Sequence, residues 1–481
     1  MLDRFPRPRR PRRERGRVRS GLGHNGGEPV NAISHLAVTT LPGQVVADFT
    51  DDRWWITIIK ALCIVVFLIL SVIMALWVER RGLARMQTRP GPNVHGPFGL
   101  LQAIADAVKL LTKEDFWKAG VDKVTYLLAP LIAAFTAFMV YAVIPFGPNV
   151  HFGSISTPLQ LADTDVAVLY ILAITSVGVY GIILAGWSSN GSLPLLGSTR
   201  SAAQMISYEL AMGLSLVTVF IMSGSMATST IVAAQSPVWW GLALFPSFLI
   251  YLVAMTGEVN RLPFDLPECE GEIVAGHMTE YSSMKFAWFF LAEYINMFNV
   301  SGVATTMFLG GWRLPFGDQI LGGMFHTGLW PILWFGIKVW IVMFCLIWVR
   351  GTLVRVRYDQ FMKFGWKFLM PVAFAWFWIV AVMRVVTHYG LATTPQLWLG
   401  AAVVLLVILG IIWIWGARAD HKIARAQEAR EAELRKPFDA FAGGYPVPPL
   451  PGQVLPPSPR MGDAVGDELV TTAAKAEGDA K

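Results

Sequence analysis

Cysteine is nearly absent from this chain: three in 481 residues, at Cys63, Cys269 and Cys345, with no CxxC pair. That leaves no cysteine framework for an iron–sulfur cluster or a zinc site. Charge is scarce as well, at 15% of residues, which is too little for a soluble multidomain protein of this length. The eight histidines are scattered, with no i,i+4 pair in an apolar run to ligate haem, so each reads as a surface or packing residue. Short alternating segments are missing, which argues against a β-barrel. No internal repeat is visible, so an inverted-repeat transporter has no direct support. What the chain does have is apolar surface: 54% hydrophobic residues, including 19 Trp and 29 Phe. Repeated apolar windows of about 20 residues define an all-α polytopic membrane protein.

Nine membrane helices are expected, near 54–78, 124–145, 165–187, 206–228, 238–257, 284–309, 330–349, 369–387 and 396–416. Three regions follow. Residues 1–53 form a leader whose first 20 residues hold nine arginines and almost nothing apolar, and disorder is expected there. It lacks the apolar core of a secretory signal. No methionine occurs between Leu2 and Met74, which leaves open a downstream start at a valine codon. Residues 54–416 are the transmembrane domain. Residues 417–481 are a charged, then Pro/Gly-rich tail, expected to be mostly disordered.

Basic residues crowd 79–123 and 350–368, whereas the loops at 146–164 and 229–236 contain no Lys or Arg. The positive-inside rule then puts 79–123, 188–205, 258–283, 350–368 and the C-terminus in the cytoplasm. The N-terminus falls outside, against the charge of its own arginines. The internal loops are expected to decide.

Between the first two spans, GLLQAIADAVKLLTK places Gln102, Asp106, Lys109 and Lys113 on one helical face and Leu101, Ile104, Ala105, Val108 and Leu111 on the other. This is an amphipathic helix fit for the cytoplasmic membrane surface, and a simple anchor is its plainest use. Before it, ERRGLARMQTRPGPNVHGPFG sets four arginines among Pro and Gly. A cationic turn at headgroup level suits an anionic lipid or a carbonyl-bearing ligand. In GSTRSAAQMISYE, Arg200, Gln204 and Tyr208 recur every fourth residue, with Glu209 entering the fourth span. Such a stripe either seals helix contacts or lines a path.

The most unusual stretch is 257–293. It carries seven carboxylates (Glu258, Asp265, Glu268, Glu270, Glu272, Glu280 and Glu293) against Arg261 and Lys285 alone, between long apolar runs. An acidic side chain at bilayer depth costs about 2.5–3.5 kcal/mol, so a functional reason is expected. A solvated acidic loop is the plain alternative, but Pro263, Phe264, Leu266, Pro267, Ile273 and Val274 interleave the acids. Crowded carboxylates cannot all ionise cheaply and titrate as a coupled set, which is what a proton relay requires. Arg261 is placed to keep part of the set ionised.

Four segments occur in order: GLLQAIADAVKLLTKE, GSTRSAAQMISYEL, EVNRLPFDLPECEGEIVAGHMTEYSSMKFAWFFLAEY and RVRYDQFMKFGWKFLMP. Together they closely resemble the NADH dehydrogenase subunit 1 family, whose bacterial members are the H subunits of respiratory complex I. The resemblance covers roughly residues 55–390. It implies a bacterial plasma-membrane component of a proton-pumping NADH–quinone oxidoreductase, at the junction of the peripheral and membrane arms. There it would shape the chamber that admits quinone, ubiquinone or menaquinone. Flavin and iron–sulfur clusters would belong to partner subunits, and the acidic loop would begin a carboxylate chain toward the antiporter-like subunits.

Carried onto matching positions, the resemblance assigns Arg80, Arg89, Asp106, Arg261, Phe290 and Arg355 to the quinone chamber, with Phe264 as plausible lining. It assigns Glu258, Asp265, Glu268, Glu270, Glu272, Glu280, Tyr281 and Glu293 to the proton path, to which Glu209 is added as an intramembrane carboxylate. Pro267, Cys269 and Gly271 depart from the family's usual residues, as do Ser192 and Leu193, where a basic residue is usual. Two other readings stand beside this one: the homologous membrane anchor of an energy-converting hydrogenase, told apart by its partner subunits, and a freestanding cation or proton transporter.

Overall fold

The computed structural model describes residues 52–152, 155–235, 238–265, 273–314 and 330–390, with Ala47, Phe49, Gly410, Arg418, Arg425 and Glu428. The leader, the expected ninth span and the tail lie outside this set, apart from those single residues. Glu268, Glu270 and Glu272 also lie outside it.

Eight of the expected spans fall in the described residues, and all eight are helical. The helices are α1 (Trp54–Met86), α2 (Gln102–Thr112), α3 (Lys123–Met139), α4 (Ala167–Ser188), α5 (Ser192–Ser223), α6 (Thr228–Ala234), α7 (Trp240–Ala243), α8 (Phe245–Glu258), α9 (Ser283–Phe308), α10 (Trp330–Thr352), α11 (Tyr358–Phe364) and α12 (Met370–His388). Six of the described helical runs are long and apolar enough to cross a membrane, α11 and α12 counting as one. The one sheet among the described residues is a hairpin of β1 (Asn149–Phe152) and β2 (Ile155–Pro158), paired antiparallel.

Helix α9 is the axis of the bundle, touching α3, α10, α1 and α2. Every residue from Met297 to Phe308 is buried. Small residues let the neighbours approach: Gly302 faces the Tyr141 ring, whose hydroxyl donates to the Phe298 carbonyl at 3.0 Å. From the other side Tyr251 donates to the Val300 carbonyl at 2.9 Å. Close small-residue packing with polar ties is the usual solution where lipid removes the hydrophobic drive between helices. The outward rows of α1 and α12 stay apolar and exposed, as at Ile58, Leu62, Leu70, Phe374 and Val382.

Several boundaries differ from the sequence expectation. Helix α1 runs eight residues past 78, carrying Glu79, Arg80, Arg81 and Arg85 on a helix rather than a turn. Most of the segment 188–205, expected between spans, is helical: α5 begins at Ser192. The span at 238–257 is broken into α7 and α8, with Pro246 opening the second piece. The last described span begins at Tyr358, and a π stretch at Gly365–Leu369 joins α11 to α12 where Gly365 meets the Tyr208 ring.

Two groups pin the end of the bundle that holds the hairpin. Asp52 accepts from Lys60 and from Thr157 of β2, each at 2.5 Å. Lys338 of α10 donates to the carbonyls of Leu309 (2.7 Å), Gly311 (2.9 Å) and Arg313 just past α9, with its ammonium 4.4 Å from the Trp239 ring. A cation at the carbonyl end of a helix completes the dipole as well as the hydrogen bonds.

Candidate functional site

At the opposite end, the turn after α1 folds back on itself. Gly96 and Gly99 both take positive φ, and a Cβ on Gly99 would lie 2.1 Å from the Pro92 carbonyl oxygen. Only glycine lets the Pro90–Pro92 strip pass so close. That strip is one wall of a cavity of about 550 Å³, bounded also by α1, Gln102 of α2, Arg261, α9 and Arg350 of α10. The size suits an organic ligand.

Its walls carry charge. Arg80 pairs with Asp106 of α2, which also accepts from Gln102 at 3.0 Å. Arg89 faces the cavity and donates to the Gln87 side chain at 2.8 Å. Glu79, 4% exposed, accepts from Arg350 and from the Tyr294 hydroxyl, the latter at 2.7 Å. Arg261, 5% exposed, lies 4.3 Å from the Tyr294 ring. It sits 3.7 Å from Glu79 through Nη1 and 2.8 Å from Glu293 through Nε. Phe290 adds an apolar wall.

Glu293 faces the other way, into a second cavity of about 70 Å³ among α3, α4, α5, α8 and α9. This one is polar. Glu258, Asn260, His277, Asn296, Asn299, Thr136 and Thr175 border it. Glu258 Oε2, Asn260 Oδ1, His277 Nδ1 and Asn299 Oδ1 have no hydrogen-bond partner among the described residues. Buried polar atoms are almost always satisfied, and about 70 Å³ leaves room for water to satisfy these. Glu209 stands one side chain further on, accepting from Ser176 at 2.5 Å and from the cavity-lining Thr175 at 3.5 Å. The Arg261–Glu293 ion pair thus lies between the large chamber and the small cavity.

The loop ends are held firmly. Gln204 donates to the Gly257 and Phe264 carbonyls at 2.9 and 2.8 Å, and Asn260 donates to Ser201 at 3.1 Å. The stripe on α5 therefore seals contacts through Gln204, and Tyr208 donates to the Phe361 carbonyl at 3.1 Å. Past the loop, Lys118 pairs with Glu280 at 2.8 Å and Tyr126 donates to the Glu280 carbonyl at 2.6 Å. Tyr126 and Tyr281 stack at 4.0 Å, and burial pushes the Tyr281 hydroxyl up to about 12. Lys285 pairs with Asp115 at 2.9 Å and sits 3.6 Å over the Trp117 ring.

The expected chamber residues Arg80, Arg89, Arg261 and Phe290 line one cavity, with Asp106 directly behind Arg80. Phe264 does not join them: it packs on Phe361 at 4.5 Å and Tyr208 at 5.9 Å. Arg355 donates to the Asp265 carbonyl at 3.0 Å, and both lie outside the described lining. Glu258 and Glu293 share the small cavity, whereas Glu280 and Tyr281 belong to the ion-pair and stacking cluster beside it. Sequence reasoning missed Glu79, Tyr294, Arg350, Asn260, Asn296 and Asn299. Glu79 had a signal, as a carboxylate ending a long apolar run; the others look like ordinary residues of a span or loop.

These features define a polytopic helical membrane protein in which a charge-lined chamber abuts a buried carboxylate cluster. A family model described as NADH dehydrogenase matches residues 59–381. The chain is 50% identical over 438 residues to the H subunit of the NADH-quinone oxidoreductase of Streptomyces avermitilis, covering 90% of this chain and 95% of that one. The chain belongs to the NADH dehydrogenase family and is a membrane subunit of an NADH-quinone oxidoreductase.

Proposed function

We propose that the large chamber admits the quinone and that the carboxylates of the small cavity couple its reduction to proton translocation. One observation carries this reading: Arg261 and Glu293 meet at 2.8 Å with one partner facing each cavity. A change of charge at a headgroup in the chamber acts on Arg261, and Arg261 acts on Glu293. The buried, low-dielectric setting makes that influence much stronger than it would be in water. Glu293, Glu258 and Glu209, with water between them, then form the first steps of a relay, and Glu268, Glu270 and Glu272 supply its loop side. The chain adds no redox group; flavin and iron–sulfur clusters sit in peripheral-arm partners, and antiporter-like subunits continue the membrane arm. The acidic loop and the C-terminus face the cytoplasm across a bacterial plasma membrane. Either ubiquinone or menaquinone suits the chamber, since both join a polar headgroup to an isoprenoid tail.

Glu293→Gln in the assembled complex tests this. It is expected to lower proton translocation per quinone reduced, with NADH oxidation by an artificial acceptor close to normal. Unchanged translocation removes Glu293 from the relay.

A further inference from the structure

Among the described residues, Arg261 faces a second carboxylate besides Glu293. Glu293 holds its Nε at 2.8 Å, and Glu79, reached from α1, stands 3.7 Å from Nη1. The face of Tyr294 supports the guanidinium at 4.3 Å, while the Tyr294 hydroxyl donates to Glu79 at 2.7 Å. One aromatic side chain therefore orients both the cation and its second carboxylate. Glu79 is further held by Arg350, so two guanidiniums and two carboxylates form a chain in the order Arg350, Glu79, Arg261, Glu293.

We propose that Glu79 is the second seat of Arg261, a positioning residue that takes the guanidinium whenever Glu293 becomes neutral. This rests on the reading of the two cavities given above. In the structure Glu293 has the closer hold. Once Glu293 carries a proton, Arg261 keeps its charge but loses that counter-charge, and the pull of the ionised Glu79 is then no longer opposed from that side. Closing a gap of about 1 Å, the difference between 3.7 Å and a normal ion-pair contact, gives it Glu79 instead. The guanidinium then leans toward the chamber, because Glu79 lines the chamber and not the small cavity. The protonation of Glu293 is thereby read out at the headgroup site, and the occupancy of that site acts back on Glu293, as any coupling between two sites must.

A double-mutant cycle in the assembled complex separates this from a purely structural Glu79–Arg350 contact. Rates of NADH-driven reduction of a short-chain quinone are compared for Glu79→Gln, Glu293→Gln and the pair, with assembly followed by NADH oxidation through an artificial acceptor. If both carboxylates serve Arg261, the pair falls about tenfold or more below the product of the single effects, since neither carboxylate can then stand in for the other. Multiplicative effects overturn the proposal. Where the pair does not assemble, the same question is asked in the Arg261→Gln background, which has nothing to seat. There Glu79→Gln is expected to cost much less than it does in the native complex, and an equal cost overturns the proposal. Glu79→Asp, keeping the charge, is expected to recover most of the rate. Failure of the underlying reading looks different: Glu293→Gln and Arg261→Gln would each leave quinone reduction and proton translocation untouched.

Discussion

His277 shows how far burial alone can decide the state of one residue. It lies 4% exposed beside the small cavity, edge-on to Phe289 at 5.3 Å, and burial pushes its imidazole down to about 4 from an ordinary 6.5. Between those values an unfolded chain binds a proton that the folded one refuses. Stability is therefore complete above pH 6.5 and is lost as the pH falls toward 4. Thermal denaturation of the complex in detergent is expected to show a midpoint that drops across this window. His277→Gln has no such proton to take up, and its slope is expected to be shallower by that share. Parallel slopes for the two proteins would mean that the imidazole is not held neutral. The sequence marks His277 only as a packing residue, which it is, but its unpaired Nδ1 at a polar cavity is a property of the fold.

At the scale of elements, the chamber depends on the turn between α1 and α2 as much as on its charges. Gly99 has no substitute where the Pro92 carbonyl passes, so Gly99→Ala forces the Pro90–Pro92 wall outward. The expected outcome is an assembled complex whose apparent requirement for quinone rises about tenfold, from a shift of about 1 Å in a binding wall. Unaltered quinone kinetics would place the ligand away from this turn. The spans themselves were legible, because an apolar run of about 20 residues has few alternatives to a membrane helix. The extension of α1 to Met86 was not, since nothing after the apolar run forces a charged segment to stay helical except what it meets. Here it meets Arg350 and Arg261 through Glu79, two partners distant in sequence. The amphipathic pattern of α2 was readable, and its apolar residues Leu101, Ile104, Val108 and Leu111 are exposed while Asp106 turns inward to Arg80. The pairing that selects the inward edge was not readable.

Across the whole molecule, the family and the acid-rich stretch were evident from residues alone, but the division into two cavities was not. Spacing along a chain places Glu258 and Glu293 on separate helices and says nothing of a shared space between them. Arg261 follows the same logic: the sequence sets this cation among seven carboxylates, and packing chooses which of them it serves. On the function proposed above, the relay starts in this chain but is driven by a reduction outside it and continues in a partner, so the chain alone has an interrupted path. The purified chain in proteoliposomes is therefore expected to move no protons under an imposed gradient, whereas the complete complex pumps on addition of NADH and quinone. Proton flux through the isolated chain would favour the transporter reading.

Helix α10 carries two anchored cations, the buried Lys338 on the carbonyls beyond α9 and the half-buried Arg350 on the buried Glu79 of α1. About twelve residues separate them, or about 18 Å along the axis. A rod bolted at two points can neither slide lengthwise nor spin without shearing a bolt, and each bolt here is a charged hydrogen bond. That makes α10 the fixed rail of the chamber. The turn and short helix opposite it are tied as well, the turn through the Phe98 carbonyl to Trp77 and Arg81, and the far end of α2 through the Leu110 and Lys113 carbonyls to Ser283.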